Sequence, residues 1–249
     1  MKKYELTAET KEVFGHTLYR IRALVSFADV EEGDLGGFIE KEENLSHDNL
    51  AWVSGDARVY GDAEVYGSAK VSGDARVYGD AEVYGSAKVS DNAEVYGSAR
   101  VYGSAKVSDN ARVHGDARVS GNAWVYGNAW VYGNAWVYGN ARVYGNARVY
   151  GNAEVYGNAR VHGDARVSKP SHLLVVGPCG SRNAFTTFFR NKDKEIFVRC
   201  GCFLGSIDAF LSKVAETHGD SGHALVYRAA VEFARVCIDL EGEDDDSNG

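Results

Sequence analysis

From Val53 to Val167 every sixth residue is valine, and two places before each valine stands an alanine, from Ala51 to Ala165. The unit reads Ala-x-Val-x-turn-turn, with Gly-Asp, Gly-Asn, Gly-Ser or Asp-Asn as the turn pair. Alanine and valine on either side of one outward residue is strand period, because successive side chains on a strand point to opposite faces. A helical period of 3.6 does not fit this spacing. Glycine followed by Asn or Asp tolerates positive φ, so the chain can turn a corner every six residues. Strands this short cannot each bury a face alone. They can do so by coiling, with every valine above another valine.

The outward positions report the length of one coil. Arg58, Glu64 and Lys70 are followed by Arg76, Glu82 and Lys88, while Tyr60, Tyr66 and Ser72 are followed by Tyr78, Tyr84 and Ser90. Both series repeat after three units, so the expected cross-section is a triangle with three short strands per coil. About 115 residues then make roughly six coils, a prism near 30 Å long at about 4.8 Å per strand spacing. Each buried valine contributes about 1.5–3 kcal/mol, and the open ends of such a stack need covering.

Val143-Tyr144-Gly145-Asn146-Ala147-Arg148 resembles the hexapeptide repeat of left-handed β-helix proteins, in which a small residue follows an aliphatic one four places on. The resemblance implies a left-handed coil; periodicity alone gives no hand. Tyrosine after the aliphatic residue departs from the usual pattern of that family. The expected fold is thus mainly β: a triangular parallel β-helix over 51–168, with an N-terminal β cap over 1–50 and a small α+β domain over 169–240. The acidic tail, 241–249, is expected to be disordered.

In the cap, Tyr19-Arg20-Ile21-Arg22-Ala23-Leu24-Val25 alternates like a half-buried strand, and Glu32 to Ile39 reads as a tight turn into another. Ile21-Arg22-Ala23-Leu24, Gly36-Gly37-Phe38-Ile39-Glu40 and Asn44-Leu45-Ser46 resemble the leader of uncharacterised hexapeptide-repeat proteins of bacteriophages and prophages. That resemblance implies a phage or prophage origin and carries no activity. Beyond Lys169-Pro170, three strands are expected at His172–Val176, Thr186–Arg190 and Glu195–Arg199, the last two joined by a turn at Asn191–Lys194. Ser206 can cap a helix that Gly219 ends, and a second amphipathic helix covers about 224–238.

Charge and composition exclude several functions. The repeat carries 12 basic and 12 acidic side chains, whereas a groove that tracks phosphates would be plainly basic. Nucleic-acid binding through the repeat is therefore not expected. There is no readable signal peptide and no apolar stretch of membrane-spanning length, so a cytoplasmic protein without membrane association is expected. Four cysteines (Cys179, Cys200, Cys202, Cys237) read as free thiols. Cys200-Gly201-Cys202 with Cys179 and His218 lacks the usual ligand gap of zinc sites, and no metal or cofactor is expected.

Acyltransferases of the hexapeptide-repeat family use a histidine beside acyl-coenzyme A. Here His114 and His162 merely replace the tyrosine of their units, and no catalytic residue is assigned. Two candidate sites remain. Ser181, Arg182, Asn183, Thr186, Thr187 and Arg190 concentrate hydroxyls and guanidinium groups suited to an anion. Tyr60, Tyr78 and Tyr96, with Tyr66, Tyr84 and Tyr102, form columns, and Trp124, Trp130 and Trp136 form a belt on three sides. These aromatics are either a solvent-facing ladder or a contact surface; the resemblance to a family rich in trimers favours self-association. The leading expectation is a non-catalytic, phage-related scaffold that binds itself, as a homo-oligomer, and a host protein or anionic ligand, in the manner of an inhibitor of bacterial defence. The alternatives are an acyl-coenzyme A-dependent acyltransferase and a structural virion component.

Overall fold

A computed structural model describes residues 1–241; of the acidic tail, residues 242–249 lie outside that description. The alanine–valine repeat forms two-residue strands, from Trp52–Val53 to Arg166–Val167, and each pairs in parallel with the strand three units away. Val59 faces Val77, Val77 faces Val95, and this register holds to Val149 and Val167. Every repeat alanine from Ala51 to Ala165 is fully buried, and so is every repeat valine but Val65, which keeps 1%. The chain is thus a repeat β-helix protein with three parallel sheets as its faces.

The corners depend on backbone sign. Gly103 has φ 70°, and a Cβ added there would lie 3.0 Å from the amide nitrogen of Gly121 in the next coil. Asp91 and Asp109 take the same corner with φ 61° and 59°. Asp109 is held there because its carboxylate accepts the amide of Gly127 at 2.9 Å.

The coil begins before the valine repeat does. Phe38 and Ile39 pair in parallel with Arg58 and Val59, and Leu45 bridges Val65. Isoleucine and leucine occupy the valine position here, which hides the unit from a search for valine. About seven coils result, near 34 Å at about 4.8 Å each. Strands β1 (Tyr4–Val13), β2 (His16–Ala23) and β3 (Leu35–Ile39) form an antiparallel extension of one face. The charged sequence of β1 gave no strand signal. Above the first coil, Lys3 Nζ donates to the carbonyl of Ala51 at 2.7 Å, and Asn44 Nδ2 to that of Ala63 at 2.9 Å. These side chains satisfy an edge that would otherwise bury unpaired carbonyls.

At the other end lies an antiparallel sheet of Leu173–Cys179, Ala184–Arg190, Ile196–Cys200 and Phe203–Ser206. The fourth strand was not expected. One face of this sheet closes the prism. Phe189 joins the valine core, Thr187 Oγ1 accepts the amide of Arg160 at 3.0 Å, and Lys192 donates to the carbonyl of Asp164 at 3.0 Å. The other face packs under helices α1 (Ile207–His218, capped by Ser206) and α2 (Gly222–Cys237).

Two predictions follow from this packing. Val107→Ala should cost about 2 kcal/mol, read as a lowered urea midpoint, while Arg118→Ala on the exposed position should stay within about 0.5 kcal/mol. The second concerns His172, buried at the junction, whose Nδ1 accepts the amide of Ser168 at 3.3 Å. Burial, then Arg190 and Lys169, push its pKa from 6.5 down to about 4. The folded imidazole stays neutral where the unfolded one binds a proton, so its contribution is full above about 6.5 and is lost as pH falls towards about 4. Urea midpoints between those pH values should fall less steeply for His172→Gln than for the unsubstituted chain.

Candidate functional site

Because coils stack in register, each outward position becomes a column along the prism, and the three faces carry different columns. On the face that starts with Arg58, Glu94 is nearly buried between Arg76, with which it pairs, and Arg112, 3.7 Å away. On the face that starts with Glu64, Glu82 pairs with Arg100 at 3.2 Å. The third face reads Trp52, Lys70, Lys88, Lys106, Trp124, Arg142, Arg160. Its column holds cations and tryptophans and no acid.

The residue after valine differs in the same way. On the first face it is a ring in six successive coils, up to Ser168: Tyr60, Tyr78, Tyr96, His114, Tyr132 and Tyr150 stack at 4.7–5.1 Å with planes within 8°. On the third face it is Ser54, Ser72, Ser90 and Ser108 before rings resume at Tyr126. Four hydroxymethyl groups where rings would stand leave a trough of about 690 Å³.

The trough is lined by Lys70, Lys88 and Lys106 on the strands, by Asp91 and Asp109 at the corners, and by Asp29 and Asp34 of the N-terminal loop. The acids are engaged internally. Asp91 accepts from Ser90 Oγ at 2.9 Å, Asp109 from Gly127, Asp34 from the amide of Glu31 at 2.8 Å, and Asp29 pairs with Lys70, which lowers its carboxyl pKa. Lys106 lies over the Trp124 ring, 5.6 Å from its centroid, and Trp124 Nε1 donates to Ser108 Oγ at 3.1 Å, closing that end. Lys88 and Lys106 are exposed and have no carboxylate partner among the described residues.

The structure disperses the residues singled out from the sequence. Trp124, Trp130 and Trp136 lie on three faces; Trp130 sits between the guanidinium groups of Arg112 and Arg148, each 5.0 Å from its ring, and Trp136 donates to Ser120 Oγ at 3.2 Å. Tyr66, Tyr84 and Tyr102 stack on another face, and Tyr78 and Tyr96 are half-buried. Tyr60 is covered by Leu18 and Phe38 of the N-terminal strands, 4% exposed, and offers no surface. His114 and His162 are rungs of ring stacks, and burial lowers both imidazole pKa values.

The proposed anion cluster is split. Ser181 and Arg182 line a cavity in the C-terminal domain, while Asn183 is an exposed corner with φ 46°. Thr186 is buried and donates to Cys200 Sγ at 3.3 Å, Thr187 is buried against the last coil, and Arg190 is fully buried with Nε donating to the carbonyl of Leu240 at 3.4 Å. Those three are structural, because the strand that carries them is covered on both faces. The trough was missed although its signal was visible: Lys and Ser recurring together after three units.

Residues 111–127, 117–133, 123–139, 135–151 and 141–154 match the family model described as YdcK Beta solenoid repeat. Over that stretch the chain is similar to those repeats, in agreement with the coil. No curated protein matches the chain. Among the described residues no helix is long and apolar enough to cross a membrane.

Three lysines stacked one coil apart repel, and like charges directly opposite in a sheet destabilise it by about 0.2–1 kcal/mol. Lys88→Glu is therefore expected to raise the thermal midpoint slightly, by pairing with Lys70 and Lys106. A clear fall would show that the column is not electrostatically frustrated.

Proposed function

We propose that the chain is a non-catalytic binding scaffold of phage or prophage origin that holds a segment of a host protein along the lysine wall of the trough. The observation that carries this reading is the column on one face that holds no acid, whereas each of the other two faces holds an acid paired with an arginine of a neighbouring coil. A column that is electrostatically unfavourable in the free chain gains from a partner's carboxylates. The acids that share the trough admit basic side chains or amides of the same segment and disfavour a uniformly anionic polymer. The prism does not have to rearrange to bind, since the lysine wall rises from two-residue strands fixed on both sides by the neighbouring coils, so little ordering is required of the scaffold. The phage or prophage origin rests on the resemblance of the segments around Ile21, Gly36 and Asn44 to the leaders of such proteins.

The test compares the full chain with the Lys88→Glu, Lys106→Glu double variant as baits in a host lysate, with bound proteins identified by mass spectrometry. Proteins bound by the unsubstituted chain should be released by moderate salt and be absent from the variant, whose folding is checked by its urea midpoint. Retention of the same proteins by the variant would remove the trough from the function.

A further inference from the structure

The C-terminal domain contains a second cavity, of about 260 Å³, far smaller than the trough and different in chemistry. Its floor is aromatic: Phe203 and Phe210 lie 5.3 Å apart between centroids, and Phe210 meets Tyr227 edge-on at 5.6 Å. Val214 and Ala184 extend that floor. Polar groups stand at the mouth. Ser181 Oγ and His218 Nε2 are 3.5 Å apart, and the His218 ring stacks on Tyr227 at 5.7 Å. Lys213 also lines the cavity, but its ammonium is engaged by Glu216 at 2.9 Å. Arg182 has no carboxylate partner among the described residues, so it is the cation left to a ligand.

Two left-handed glycines shape this mouth. Gly180 has φ 71°, and a Cβ there would fall 2.3 Å from the Tyr227 ring, so the bend before Ser181 lies directly on the aromatic floor. Gly201 has φ 59°, and a Cβ there would fall 2.6 Å from Arg182 Nη1. The guanidinium thus lies across bare backbone at the rim, where a side chain would displace it. An apolar floor with one convergent cation and a few hydroxyls is the usual chemistry of a small-molecule site, and a guanidinium fork matches a carboxylate in two parallel hydrogen bonds.

The geometry points to a binding site for a small aromatic carboxylate, its ring on Phe203, Phe210 and Tyr227 and its carboxylate on Arg182 and Ser181. The site is independent of the trough. It lies on the helix side of the sheet, whereas the opposite face closes the prism.

The cavity carries its own reporters. Cys179, Cys200 and Cys202 line it, while Cys237 is exposed at the end of α2, outside it. Burial and the neighbouring Cys200 push the Cys179 thiol up, which makes it a slow nucleophile. Cys200 and Cys202 are therefore the thiols to follow. The experiment alkylates the full chain with iodoacetamide and measures each thiol by peptide mass spectrometry, with benzoate, its neutral isostere benzamide, or inorganic phosphate present.

Benzoate should slow labelling of Cys200 and Cys202, about tenfold at ten times its Kd if bound protein does not react, and leave Cys237 unchanged. Benzamide and phosphate should protect far less, since one lacks the charge and the other the ring. Arg182→Gln should abolish protection by benzoate, read as the ratio of the variant's own labelling rates with and without ligand. Equal protection by benzamide would overturn the role of the cation, and equal protection by phosphate that of the aromatic floor. No protection by benzoate, or protection that extends to Cys237, would overturn the site.

Discussion

A two-residue strand has almost nothing to hold it. Arg58–Val59 buries one valine and the alanine before it, and its amides and carbonyls have no partner within the unit. What stabilises it is the coil above and the coil below: Arg58 donates to the carbonyl of Ala75 and Tyr60 to that of Val77, at 2.9 and 3.1 Å. Everything else inherits this register. Side-chain amides repeat it at the corners, where Asn110 donates to Asn128 and Asn128 to Asn146. The ring stacks repeat it at coil spacing. Stability is consequently a nearest-neighbour property along the axis, and the two terminal coils are the places where it fails unless something covers them.

The two ends are covered by different means. At the first coil, single side chains reach in: Lys3 and Asn44 donate to coil carbonyls, and Tyr4 Oη donates to the carbonyl of Leu45 at 2.7 Å. Burial of the Lys3 ammonium lowers its pKa to about 8, the cost of using a cation for this purpose. At the last coil a whole sheet does the work, and a sheet has two faces. Once Thr187 and Phe189 are committed to the coil, Thr186 and Phe188 must be covered from the other side, which requires α1 and α2. The cavity beside Arg182 exists because that second layer exists.

How much of this was legible follows from the same physics. The valine and alanine columns, the triangular coil and the three-sided placement of Trp124, Trp130 and Trp136 could be read because an exact period converts sequence distance into spatial neighbourhood. The first coil was not, since Ile39 and Leu45 keep the shape of the unit and lose its letter. The strand Phe203–Ser206 has no alternation to announce it, and four of the ten residues of β1 are charged. The anion cluster failed for a different reason. Thr186, Thr187 and Arg190 are close together in the sequence, but neighbours on a strand point to opposite sides, and here both sides are occupied. Arg182 and Ser181, in the turn before that strand, escape this constraint.

The trough shows what the period offers once it is read as a surface and not only as a coil length. A fold that stacks identical positions makes every outward choice a choice about neighbours. Acids meet bases at single places on the other two faces, Glu94 between Arg76 and Arg112 and Glu82 beside Arg100. Rings follow rings where stacking is available. A column of Lys70, Lys88 and Lys106 beside a run of serines does neither, although a glutamate in one of those units would supply the acid that each of the other faces has. The same register that makes the fold stable therefore makes a like-charge column costly, and its place on the prism is where a partner's charge would be worth most.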